Sequence, residues 1–138
     1  MKRTLVALAL LALPLSLAAE TRVAPGSSVF IEPTENGMHI ALTAALSKKK
    51  IPLTVTTNKD TADYIISVVG DYKGAGFGKQ IMLGGGARGE AHASITVAAK
   101  DGTVAYAYNV DKGSAVRGLQ SAAEACAKHL GEHIKGKE

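Results

Sequence analysis

The 138-residue chain has one cysteine, no tryptophan, two phenylalanines and four tyrosines. A single thiol, Cys126, can close no disulfide within the chain, so the fold has to hold together by packing. Six aromatic rings are too few for a surface that reads single-stranded nucleic acid by alternating stacking rings with a basic groove. Charge is low as well. Sixteen Lys and Arg stand against twelve Asp and Glu, for a formal net charge of +4 at pH 7. Beyond the first twenty residues no run is long and apolar enough to span a bilayer.

The first residues concentrate what the rest lacks. Lys2 and Arg3 precede the apolar run "TLVALALLALPLSL", and small residues follow in "SLAAE". A basic start, a short apolar segment and a small-residue exit form a secretory signal rather than a membrane span. Ser16 and Ala18 satisfy the small-x-small rule, which places cleavage after Ala18. No cysteine lies there to carry a lipid. The expectation is therefore a signal peptide at residues 1–18 and a soluble, periplasmic or secreted mature chain without a transmembrane segment. Removing Lys2 and Arg3 lowers the formal charge from +4 to +2. So small an excess over a 120-residue mature chain predicts no nucleic-acid partner.

That length supports one core. Residues 19–26 read as a flexible lead, and residues 27–135 as a single α/β domain. "SSVFIEP" has the β-branched and aromatic content of a strand, stopped by Pro33. Thr34, Glu35 and Asn36 offer capping side chains to the following helix. In "GMHIALTAALSKKK", Met38, Leu42, Ala45 and Leu46 fall on one helical face. Lys48, Lys49 and Lys50 suit the negative end of the helix dipole, and Pro52 stops continuation. "PLTVTT" is a second strand, which completes a β-α-β unit.

"DYIISVVGDYKG" is a third strand with Tyr64, Ile66 and Val68 on one face and Ile65 and Val69 on the other. Apolar residues on both faces predict an interior strand. Later, "HASITVAA" and "TVAYAYNV" flank Lys100-Asp101-Gly102, and Asp-Gly between alternating runs is a strong hairpin signal. Tyr106 and Tyr108 share one face of the second arm. "SAVRGLQSAAEACAKHLGEHIKGKE" closes the chain as a helix with Ser114 as its expected cap. Val116, Leu119, Ala123, Cys126, Leu130 and Ile134 form one apolar stripe. Cys126 falls inside that stripe and reads as a small buried hydrophobe. The predicted order is β-α-β-β-β-β-α: one mixed sheet, an α+β arrangement within the α/β class, with both helices on one face.

Between the third strand and the hairpin lies "GAGFGKQIMLGGGARGE", residues 74–90, in which seven of seventeen residues are glycine. A P-loop needs G-x-x-x-x-G-K-[ST]. Counting back from Gly78-Lys79, the first glycine falls on Lys73, and the residue after Lys79 is Gln80. The letters G-x-G-x-x-G occur at Gly84, Gly86 and Gly89, but that fingerprint must open a helix, and "EAHASITVAA" alternates as a strand. No nucleotide or other cofactor is predicted. The stretch reads as a permissive Gly-rich loop over 74–89. It carries an apolar group, Phe77, Ile81, Met82 and Leu83, which either tucks onto the sheet or contacts a partner.

"HLGEH" at 129–133 matches the H-x-x-E-H zinc-protease pattern, with His129 and His133 one helical turn apart. A catalytic zinc needs a third protein ligand, and five residues remain downstream. Gly131 also weakens the helix that would present the pair. The expected setting is a solvated, lysine-rich helix end with no metal site. No G-x-S-x-G occurs, and neither His39 nor His92 sits in a serine-base pattern. Asp60 and Asp63 at a loop-strand junction read as turn and capping residues.

The succession "SVFIEP", short helix, "ADYIISVVGDYKG", glycine-rich gap, "HASITVAAKDGTVAYAY" and Ala-rich terminal helix resembles a widespread envelope-protein superfamily. It includes curli-secretion channel subunits, the amino-terminal domain of the Tol propeller protein and lipoprotein activators of penicillin-binding proteins. The resemblance spans nearly all of residues 27–135. It rests on the "ADY-apolar-apolar-x-G" central strand and on the hairpin Ser94-Ile95-Thr96-Val97 with Asp101-Gly102-Thr103-Val104. It implies an envelope setting and action by binding and assembly, with no catalytic residues carried over. The chain departs from these relatives in lacking a lipid-bearing cysteine and the inserts from which the channel subunits build a barrel. The expected function is a non-enzymatic exported module that binds an envelope protein or itself. The alternatives are a soluble periplasmic carrier of a small ligand and, at the far end, a zinc-dependent hydrolase using HLGEH.

Overall fold

The computed structural model describes residues 22–74, 89–115 and 118–137. The expected signal segment and the arm residues Phe77, Ile81, Met82 and Leu83 lie outside the described residues. The elements run β1 (Ser28–Ile31), α1 (Met38–Lys48), β2 (Thr54–Thr56), β3 (Tyr64–Lys73), β4 (Gly89–Ala99), β5 (Val104–Ala115) and α2 (Leu119–Ile134). A one-turn 3₁₀ segment, Lys59–Thr61, leads into β3. The order is the one the sequence predicts.

The five strands form one mixed sheet in the order β2-β1-β3-β4-β5. β1 pairs in parallel with both β2 and β3, whereas β3-β4 and β4-β5 are antiparallel. β3 therefore occupies the centre, as its apolar pattern predicts. Asp63 fixes the start of β3 against β1. Its Oδ2 accepts the Ser28 backbone N–H and hydroxyl, each at 2.8 Å. Those bonds hold its carboxyl below the ordinary aspartate range.

The helices cover one face. Met38, Leu42, Ala45 and Leu46 of α1, and Ala123, Cys126, Leu130 and Ile134 of α2, are all buried against Ile66, Val68, Ile95 and Val97. Burying a leucine or isoleucine of this kind contributes roughly 1.5–3 kcal/mol. At the start of α1, Asn36 Oδ1 accepts the Met38 N–H and Thr34 Oγ1 accepts the His39 N–H, both at 3.1 Å. Thr34 and Asn36 thus do the capping. Gly37 makes the turn at φ 75°.

Both helices run in the same direction. A Cβ on Gly70 would lie 2.9 Å from Met38 Sδ and 3.3 Å from Leu119 Cδ2, so the first residues of α1 and α2 meet over one glycine. At the other end Gly131 of α2 lies under Ile51, just past α1. Glycine at 131, which reads in the sequence as a helix weakness, is a position of close approach between α2 and Ile51. A Cβ there would come within 2.4 Å of Ile51 Cδ1.

The expected cap at Ser114 is wrong. β5 continues through Ala115, because β4 extends down to Gly89 and gives those residues a partner. Helix α2 starts instead after Gly118, whose φ of 55° glycine tolerates. Of the predicted stripe, Leu119 is half-buried and Val116 lies outside the described residues.

Candidate functional site

Because both helices lie on one face, the opposite face of the sheet has no layer above it among the described residues. Its rows follow from the ladder register. Ile65, Ala98 and Val104 form one row, and Ser67, Thr96 and Ala107 the next. Then come Val69, Ser94 and Asn109, and after them Asp71, His92 and Asp111. Val69 is 69% exposed and Val104 55%. The apolar second face of β3 that identifies it as interior in the sequence is thus central in the sheet yet open to solvent.

Two contacts order the polar part of this face. His92 Nδ1 lies 3.1 Å from Asp111 Oδ1 across β4 and β5. Ser67 donates its hydroxyl to Glu32, whose other carboxylate oxygen accepts from Lys59 at 3.0 Å. The Ser67 bond foremost, and then Lys59, lower the Glu32 pKa. A shallow hollow of about 280 Å³ lies among Val69, Asp71, His92, Ser94 and Asn109.

The two sheet edges differ. β2 is three residues long, a length that offers little to a passing strand. β5 is twelve residues long, and no strand of the described residues pairs with its outer edge. From Val104 to Val110 it carries no proline and no charge, and Ala105, Ala107 and Asn109 leave its backbone lightly covered. Native edges are usually blunted by lysine, proline or shortness, and the central part of β5 has none of these.

The HLGEH segment is not the solvated helix end that the sequence suggests. His129 stacks on Tyr108 with ring centroids 4.4 Å apart, and His133 meets Tyr106 at 4.6 Å with the rings tilted by 34°. His133 is buried, and His129 Nδ1 contacts Glu132 Oε2 at 3.1 Å. These rings bolt α2 onto β5. Among the described residues no three His, Cys, Asp or Glu side chains gather in a way that could hold a metal ion. Cys126 is fully buried, and desolvation pushes its thiol up to about 11, so it stays protonated and inert at neutral pH. No helix of the described residues is long and apolar enough to cross a membrane.

The His92–Asp111 pair is the contact that the sequence reading misses. Its signal is the hairpin itself, since counting outward from Lys100-Asp101-Gly102 brings His92 close to Asp111. The register is settled by an irregularity between Val97 and Ala98, which leaves Ala105 without a partner.

No family model matches the chain, and no curated protein matches it in sequence. Solved structures do match its fold. Two crystal forms of the PelC dodecamer from Paraburkholderia phytofirmans, one of them a point variant, superpose with TM-scores of 0.54 and 0.53. They are 13% and 16% identical, and each match covers 82% of this chain and 91% of PelC. A PDZ domain protein from Parabacteroides distasonis matches at a TM-score of 0.47 and 13% identity over 75% of this chain, which spans 32% of that protein. At these identities the likeness is one of fold.

Proposed function

We propose that the chain is an exported, non-enzymatic module of the cell envelope that works by protein association, through the β5 edge and the open sheet face beside it. One observation carries this reading: a twelve-residue edge strand, unguarded from Val104 to Val110, borders a face with Val69 and Val104 exposed. The envelope setting rests on the leader-like first eighteen residues and on the superfamily resemblance. The fold likeness to PelC, solved as a dodecamer, supports self-association as the form it takes. The non-enzymatic reading rests on the sequence, which has no nucleophile-base-acid pattern and no third ligand for HLGEH.

The test is a mass measurement by light scattering on the purified chain, beside Ala107→Lys/Asn109→Lys. Both positions are exposed, so the variant folds. The wild type is expected as an oligomer or in complex with an envelope protein, and the variant as a monomer. A variant that associates as the wild type does would overturn the edge reading. Shortening the chain by residues 75–88 separates this from association through Phe77, Ile81, Met82 and Leu83. A second reading, a small-ligand carrier, is favoured by the hollow at His92 and Ser94 and would show as a ligand that co-purifies with the monomer.

A further inference from the structure

Charge is unevenly shared between the two layers. Residue 22 and the segments 38–52 and 118–137, which contain the helices and their ends, carry seven Lys and Arg and two acids. The remaining described residues carry four Lys against eight acids, Asp60, Asp63, Asp71, Asp101 and Asp111 with Glu32, Glu35 and Glu90. Because the helices are parallel, the basic residues converge at one end. There Lys49, Lys128, Lys135 and Lys137 line a hollow of about 360 Å³ that holds one carboxylate, Glu132.

Helix-end lysines usually complement the dipole of the helix. Lys48 and Lys128 need no other explanation, since they pair with Glu124 at 3.0 Å and Glu132 at 3.7 Å. Lys49, Lys50, Lys135 and Lys137 stand past the last helical residues and form no ion pair among the described residues. Lys49, Lys135 and Lys137 share their hollow with Lys128 and Glu132, and Lys50 is the chain neighbour of Lys49, so among the described residues lysines outnumber carboxylates there, an excess that an anionic surface would relieve. The chain also enters the domain here, with Arg22 lying against Gly136.

We propose that the basic end formed by Lys49, Lys50, Lys135 and Lys137 docks on the anionic phospholipid headgroups of a bilayer. Flexible ammonium groups suit a surface of many phosphates better than one rigid anion. This surface lies on the helix layer, where Lys137 comes near Tyr106 and Tyr108 of β5, and its lipid binding is read separately from association.

The experiment is co-sedimentation with vesicles of zwitterionic lipid alone or with roughly 30% anionic phospholipid, using wild-type and variant chains prepared identically. The wild type is expected to bind the anionic vesicles at low ionic strength and to be released at about 0.5 M salt, where screening is strong. Changing Lys49, Lys50, Lys135 and Lys137 to Gln should weaken that binding by about 100-fold or more. Circular dichroism of the variant checks its fold, and Lys59→Gln/Lys112→Gln, away from the patch, should bind as the wild type does. Equal binding to both vesicle types, no binding at low salt, or an unaffected fourfold variant that keeps its fold would overturn the proposal. So would displacement by millimolar inorganic phosphate at constant ionic strength, which would mark a small-anion site. Binding to polyglutamate in the absence of vesicle binding would mark an acidic polymer as the partner in place of lipid.

Discussion

His92 and Asp111 face each other across β4 and β5 at 3.1 Å, and Asp71 stands in register with His92 from the other side, on β3. The imidazole thus lies between two carboxylate-bearing positions on the uncovered face. Both partners of the close pair are well exposed, at 43% and 72% of their side-chain surface. Exposed pairs contribute at most about 1 kcal/mol. Asp111→Asn is therefore expected to leave the urea midpoint nearly unchanged. If this face forms the association surface, the same variant alters the oligomer's dissociation constant without altering stability. A large loss of stability would show the pair to be part of the fold instead.

Guarding the β5 edge is expected to act on association alone. Ala107→Lys places a charge where the strand has none, and exposed substitutions of this kind change stability by less than about 0.5 kcal/mol. Association should fall by at least tenfold in dilution measurements while thermal midpoints coincide.

Two inner-face glycines have close neighbours of different kinds. At Gly89 a Cβ would lie 2.4 Å from the Lys73 carbonyl oxygen and 2.6 Å from the Tyr72 ring. At Gly70 it would meet Met38 and Leu119 side chains, which can give. Gly89→Ala is expected to cost more than Gly70→Ala, and the latter about 1–3 kcal/mol by overpacking. Gly70 closes the run ADYIISVVG, and its place beneath both helix starts gives that glycine a steric reason. Equal denaturation midpoints for wild type and both variants would refute this packing.

Leu130→Ala removes a fully buried side chain between the helix layer and the sheet. The expected loss is about 2–5 kcal/mol, read from chemical denaturation.

Cys126 should resist thiol reagents until the protein unfolds. Its folded pKa, about 11, lies above the ordinary value of 9.0. The folded state therefore holds the proton more tightly, and the resulting stability is complete below pH 9 and lost as pH rises through 11. Two units correspond to about 3 kcal/mol. Comparing wild type with Cys126→Ala across that window isolates the contribution. Identical slopes for the two would contradict burial of the thiol.

What the sequence made legible is local. The capping of α1 by Thr34 and Asn36, the apolar faces of both helices and the Asp101-Gly102 hairpin all follow from short-range rules. What escaped is tertiary. Ser114 satisfies the local rule for a helix cap, but pairing with the far end of β4 draws it into β5. The histidines of HLGEH also look solvated until β5 is placed beneath them. Four helical residues rise about 6 Å and two strand residues about 6.7 Å, so His129 and His133 step in time with Tyr108 and Tyr106. That match appears only once the two elements are known to lie side by side. The same holds for the basic end, since Lys49 and Lys137 are distant in sequence and meet only because α1 and α2 are parallel.

Lys73 and Glu90 are direct partners in the β3-β4 ladder, so the glycine-rich stretch leaves and re-enters the domain at a single rung. A segment inserted at a closed rung is uncoupled from the register on either side. Each doubling of such a segment adds only about 0.6 kcal/mol of closure entropy. The chain between Gly74 and Gly89 is therefore a place where length can change while the strands and helices on either side remain as they are.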